Sequence, residues 1–190
     1  PITSRRKPIS VEGSVVTFDG PIKGKVKWHS DAIVIDGKGM GQYRRVGEYD
    51  KSTGRLSVVR PWTIPPDTNS TIAIGRPIRR IVVYGNTLDG KPRAPRVDHH
   101  IASAGVEPFG ASIDVTVVNN TFHELRTGIA TFSPAWFHYY AGNRADTVRT
   151  GMRWGGGTGI VARDNALRNV VKRGYRLGGG DKHTPEVRLL

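Results

Sequence analysis

Two markers recur with one period through the second half of this chain, and that recurrence limits the fold more than any other feature. Asn86, Asn120, Asn143 and Asn165 can be placed in register, with gaps of 34, 23 and 22 residues. Arg126-Thr127-Gly128-Ile129, Arg149-Thr150-Gly151-Met152 and Lys172-Arg173-Gly174-Tyr175 form the second marker, and its glycines are 23 and 23 residues apart. A repeat of this length supplies about three short strands, too few to bury an apolar face alone, so successive repeats must stack. Stacked coils lie about 4.8 Å apart, the separation of hydrogen-bonded strands. Side chains one period apart then form columns, expected here as Ile129, Met152 and Tyr175, and as Phe122, Ala145 and Leu167. Asn at one point of each coil is expected to adopt left-handed backbone and to bond the Asn above and below. A sandwich with recurring turns is the competing arrangement.

The rest of the chain reads as strand and turn. Gly and Pro number 24 and 12 among 190 residues, scattered enough to leave little room for helices. The β-branched runs 15–18, 32–35, 56–59, 81–84 and 115–118 are short and mostly flanked by turn formers. Residues 41–49 and 55–60, joined by the Gly-containing segment 50–54, read as a hairpin. The expected architecture is all-β: a small antiparallel β module over residues 1–75, then a right-handed parallel β-helix of about 22–23 residues per coil over 76–190.

Asn119-Asn120-Thr121-Phe122 followed by Thr127-Gly128-Ile129, with their counterparts down to Gly174, resembles the coils of right-handed parallel β-helix proteins of the pectate-lyase-like superfamily. The resemblance covers about residues 78–180. Ahead of it, Gly39-Met40-Gly41-Gln42-Tyr43-Arg44-Arg45, Arg60-Pro61-Trp62 and Pro66-Asp67-Thr68-Asn69-Ser70 resemble a segment found beside such helices and in phage tail proteins. The resemblance implies the β-helix fold and a surface or carbohydrate context. In its lyases a Lys or Arg commonly acts as base and acidic residues hold calcium, while its glycosidases use Asp clusters. This chain departs from both, because Asp89, Asp98, Asp114, Asp146, Asp164 and Asp181 never form a close pair in sequence. Calcium thus finds no support in an acidic cluster, and neither cofactor nor metal is assigned.

Charge selects the binding candidates. Lys plus Arg outnumber Asp plus Glu by 29 to 16, a formal charge of +13. In register, Arg126, Arg149 and Lys172 share one column with Arg173 alongside, and Arg153 and Arg176 stack in the next strand. Facing like charges are destabilising, so the cluster raises the local potential and attracts anions. Arg forks match carboxylate, sulfate or phosphate. The plainer alternative is a solvated basic face relieved by Glu124, Asp146 or Asp164. Trp136 and Tyr139, in the run 136–140, are candidates for stacking on sugar rings, with coil packing as the alternative. The eleven-residue excess between Asn86 and Asn120 falls in 89–110, where Arg96, His99 and His100 are the catalytic candidates and an ordinary loop is the alternative.

The leading expectation is a carbohydrate-active or carbohydrate-binding module for acidic polysaccharide, secreted or on a cell or virion surface, lyase-like if catalytic. The alternative is a non-catalytic structural or adhesive component of a surface layer, appendage or virion tail. Nucleic acid is disfavoured because no RNA- or DNA-binding motif accompanies the charge. Zero Cys excludes disulfides and Cys catalysis, and no apolar run exceeds four residues, so no membrane span is expected. With no capping pattern after Gly180, a protein partner or further chain is expected over the open coil end.

Overall fold

The computed structural model describes residues 2–90, 104–131, 134–178 and 187–189, and these form strands and turns with no helix. The chain divides into two compact units, Pro1–Pro77 and Ile78–Leu190. The insertion carrying Arg96, His99 and His100 lies outside the described residues.

The first unit contains β1 (Ile2–Arg6), β2 (Pro8–Glu12), β3 (Val15–Phe18), β4 (Asp31–Asp36), β5 (Tyr43–Asp50), β6 (Arg55–Val58) and β7 (Thr71–Gly75). They pair antiparallel in the order β1-β7-β4-β5-β6-β3-β2. Alternation sends Val16, Phe18, Leu56 and Val58 to one face, where they join Val34, Ile72, Ile74 and Trp62 in a core. Each such side chain gains about 1.5–3 kcal/mol by leaving water. The expected hairpin is β5–β6. In its turn Ser52 and Thr53 donate to the Asp50 carboxylate and hold its pKa down to about 2.

This unit contains an internal duplication at a spacing of 40. β3, its following loop and β4 match β6, its following loop and β7, with Pro21, Ile22 and Ser30 in one copy opposite Pro61, Trp62 and Ser70 in the other. Each loop is stapled by a neighbouring arginine. Arg6 donates to the carbonyls of Asp19, Gly20 and Pro21, and Arg44 donates to that of Pro61 at 2.9 Å. Gln42 completes the second staple by accepting from Thr63 N at 2.8 Å and donating to Ile64 O at 2.6 Å. The Gly-x-Gly-Gln-x-Arg pattern is therefore a loop clamp.

The second unit runs β8 (Ile78–Tyr84), β9 (Thr87–Asp89), β10 (Ala104–Val106), β11 (Ser112–Val118), β12 (Thr121–His123), β13 (Thr127–Thr131), β14 (Ala135–Trp136), β15 (Tyr139–Ala141), β16 (Arg144–Asp146), β17 (Thr150–Trp154), β18 (Gly157–Thr158), β19 (Ile160–Arg163), β20 (Ala166–Arg168), β21 (Arg173–Leu177) and β22 (Val187–Leu189). All pair in parallel and in register, building a β-solenoid of about three turns. Phe122 faces Ala145 and then Leu167, and Ile129 faces Met152 and then Tyr175, as the repeat requires. A core of Val115, Val117, Phe122, Ile129, Tyr140, Met152 and Trp154 fills the interior. Trp154 lies between Tyr140 and Tyr175, with centroids 5.8 and 5.9 Å away.

The Asn ladder forms, with one correction. Left-handed backbone belongs to the residue before each Asn, namely Gly85, Asn119, Gly142 and Asp164. That turn frees the Asn side chain to point along the stack. Asn120 N and Nδ2 donate to Asn143 Oδ1 at 3.0 and 3.1 Å, Asn143 repeats this to Asn165 Oδ1, and Asn143 Nδ2 also reaches Val117 O at 2.9 Å. At the far end β22 pairs with β19, matching Val187 with Ile160, and so extends the stack by one more parallel strand.

Candidate functional site

The cation rows rest on the sheet β10-β13-β17-β21. Its strands approach the interior closely because glycine occupies one inward column. A Cβ on Gly128 would meet Gly151 O at 2.8 Å, and one on Gly151 would meet Gly174 O at 2.5 Å and Leu167 Cδ1 at 2.7 Å. Immediately before this column, coil-to-coil bonds from Thr150 N to Arg126 O (2.9 Å) and from Lys172 N to Arg149 O (3.0 Å) bring Arg126, Arg149 and Lys172 to equivalent points of three coils. Thr150 faces Arg173 across the ladder. Two residues after the glycines, Ala130 faces Arg153, which faces Arg176. Since Val106 faces Ile129, Glu107 begins that same column.

Arg153 is half-buried, and burial lowers its pKa first, with the Arg176 and Arg126 charges adding to the effect and Glu107 opposing it. Glu107 is raised by its own burial, against the pull of Arg153. Arg126, Arg153, Arg176 and Glu107 thus form one electrostatic group, with more positive than negative charge and a low-dielectric wall behind it. The expected rows are Arg126, Arg149 and Lys172 with Arg173 alongside, and Arg153 with Arg176; register pairs Arg153 with Arg176 directly and sets Arg173 opposite Thr150, while Glu107 is not part of that expectation.

The aromatic candidates are not on this face. Trp136 is 2% exposed in β14, so it offers no stacking surface. The run 136–140 alternates, which also buries His138 and Tyr140 while leaving Tyr139 37% exposed on β15, in a different sheet from the arginines. His138 Nδ1 lies 2.5 Å from Tyr140 Oη, and burial lowers the imidazole to about 4 and raises the phenol.

One grouping was invisible in sequence. Strand register places Asp89, His123 and Asp146 on three successive coils, and Glu124 follows His123. Asp89 Oδ1 is 3.6 Å from His123 Nδ1, and the donor atoms of Asp89, His123 and Glu124 all lie within 4.8 Å of one another. Two carboxylates and an imidazole suit a divalent cation. The acidic residues form no close pair in sequence, and it is the strand register that brings Asp89 and Glu124 together around His123.

No family model matches the chain, and no curated protein does. Among solved structures it is similar to the tailspike of Pseudomonas phage phi297, with a TM-score of 0.37 and 13% identity over 88% of this chain and 31% of that one. It is also similar to the tailspike protein of Pseudomonas phage LKA1, with a TM-score of 0.34 and 12% identity over 100% of this chain and 33% of that one. The chain spans about a third of the length of these structures. The solenoid itself rests on the strand register, independently of either likeness.

Proposed function

We propose that the solenoid unit is a carbohydrate-binding module that captures acidic polysaccharide along the sheet β10-β13-β17-β21. The supporting observation is the in-register pairing of Arg153 with Arg176, flanked by Arg126 and Arg149 at equivalent points of their coils and by Arg173. Successive coils repeat about every 4.8 Å, close to the rise of one sugar residue in an extended chain, so neighbouring guanidinium groups meet successive carboxylates or sulfates. Polymers of this kind lie outside cells, so a secreted or virion-surface setting belongs to the same proposal.

Isothermal titration with polygalacturonate at low salt tests it. Binding should weaken at least about tenfold, a loss of about 1.4 kcal/mol, in Arg153→Ser/Arg176→Ser. Polymer binding that this double substitution leaves unchanged would refute the assignment. An ultraviolet-absorbing unsaturated product appearing in the same mixture would extend the proposal from capture to lyase action.

A further inference from the structure

The duplicated loops of the first unit differ at one chemically decisive point. In the second copy, Asp67 N donates to Ser70 Oγ at 3.0 Å and Ser70 N donates to Asp67 O at 3.0 Å, closing a tight turn. The Asp67 carboxylate folds back into that turn, and its Oδ1 accepts from Asn69 N at 2.9 Å and Ser70 N at 3.1 Å. The first copy has the same frame. Lys27 N donates to Ser30 Oγ at 3.0 Å, and Ser30 N donates to Lys27 O at 2.8 Å. Lys27, however, stands where the aspartate does, so this turn has no side-chain carboxylate of its own to accept from the His29 and Ser30 amides as Asp67 Oδ1 does from Asn69 and Ser70; Ser30 N keeps its bond to Lys27 O.

The surroundings of that place are cationic. Burial and then the charges of Arg76, Lys27 and Arg45 all push the His29 pKa down. The ladder explains the convergence, since Asp31 at the head of β4 faces Arg45 on one side and Gly75, just before Arg76, on the other. Asp31 itself is buried and already engaged, with Arg45 Nε 3.4 Å from its Oδ1. The enclosed His29 Nε2 has no hydrogen-bond partner among the described residues. Beside it, edge-on to the imidazole at 4.9 Å between centroids, stands Trp28, 79% exposed. An indole this open has a free face on which a sugar ring can pack.

We propose that the turn Lys27–Ser30 is a second binding site, for an oxyanion carried on a sugar ring: the oxyanion takes the position that Asp67 fills in the other copy, and Trp28 lies against the ring. The site is built from residues of the first unit, and the proposal does not rest on the solenoid reading. A uronate suits both parts, since backbone amides and surrounding cations favour the carboxylate and the indole face favours the ring's C–H surface.

Tryptophan fluorescence reads this site directly, because Trp62, Trp136 and Trp154 are 5%, 2% and 0% exposed and Trp28 alone is open to ligand. Titrating the full chain with trigalacturonate should change the emission, and Trp28→Phe should abolish that change. Lys27→Asp rebuilds the Asp67 arrangement and fills the site with the chain's own carboxylate. It should raise the dissociation constant by about tenfold or more while leaving the melting temperature unchanged or higher. An affinity unaltered by Lys27→Asp, with the variant folded, overturns the proposal. So does equal affinity for inorganic sulfate and trigalacturonate, which would remove the ring from recognition. Arg153→Ser/Arg176→Ser should leave the Trp28 signal intact, so failure here and failure of the solenoid reading are told apart.

Discussion

Lowering the pH from 7.5 to 4.5 should weaken the solenoid unit through a single buried imidazole. His138 is 1% exposed, its Nδ1 lies against Tyr140 Oη, and burial depresses its pKa from 6.5 to about 4. The folded state therefore holds the neutral ring, and the unfolded chain takes up a proton first as the pH falls. Stability is fully present above pH 6.5 and is lost progressively down to pH 4. A displacement of that size corresponds to about 1.4 kcal/mol lost at pH 5.5 and about 2.6 kcal/mol at pH 4.5, approaching about 3.4 kcal/mol below the folded value. Asp50 titrates at about 2 and Asp146 is lowered from 3.8, so both act at more acidic pH; burial raises Glu107 above 4.5, so it takes up its proton first in the folded state and offsets part of the loss. Urea unfolding followed by near-ultraviolet dichroism, which senses Tyr140 and Trp154 beside the ring, measures the loss. The comparison is with His138→Phe, which loses the Tyr140 contact at every pH but has nothing to titrate. Parallel stability profiles for the two proteins between pH 6.5 and 4.5 would refute the reasoning.

Three further outcomes follow from particular contacts. Asn143→Ala strips the partner from two Asn120 donors and leaves buried Val117 O without its amide, which should cost about 3 kcal/mol in urea unfolding. Gly151→Ala should cost about 1–3 kcal/mol because the new methyl meets Gly174 O and the Leu167 methyls, while Gly174→Ala, with only Leu167 Cδ1 at 3.4 Å, should be tolerated in the same assay. Arg176→Glu sets opposite charges across the β17–β21 ladder and should raise stability by about 0.2–1 kcal/mol while weakening polygalacturonate binding by about tenfold.

The solenoid was legible because stacking turns sequence separation into contact. Once Gly128, Gly151 and Gly174 share a period, every neighbouring column follows, and Arg153 must meet Arg176. Periodicity does not show which way each side chain turns. The 136–140 run reads either as rings for sugar stacking or as coil packing, and the structure buries Trp136, His138 and Tyr140 while leaving Tyr139 partly exposed. Nor does a period reveal a left-handed residue, so the conformational role fell on the Asn of each pair rather than on its predecessor. The 40-residue duplication escaped for a different reason. Its shared residues are Pro21 with Pro61 and Ser30 with Ser70, too few to announce a repeat, and the decisive difference is Lys27 against Asp67. The Asp89–His123–Glu124 group needs coils 34 residues apart to be superposed, and the insertion between Asn86 and Asn120 breaks the period at that point.

The two charged sheets of the solenoid show that its sign pattern is a choice. On β9-β12-β16-β20 the column reads Asp89, His123, Asp146, Arg168, so each acidic group has a basic neighbour in register, and His123 contributes to lowering the Asp146 pKa. The same backbone spacing on β10-β13-β17-β21 sets Arg153 directly across from Arg176, with Arg126 close enough to depress the same guanidinium. Facing like charges cost about 0.2–1 kcal/mol where alternation was sterically available. Glu107, at the head of the column, opposes the effect of these charges on Arg153. A fold that alternates charge on one sheet and concentrates it on the next has given up stability locally. Under the proposed function an anionic ligand would recover that loss on binding, so the arginine that costs the solenoid most is also the one whose replacement should cost most in capture.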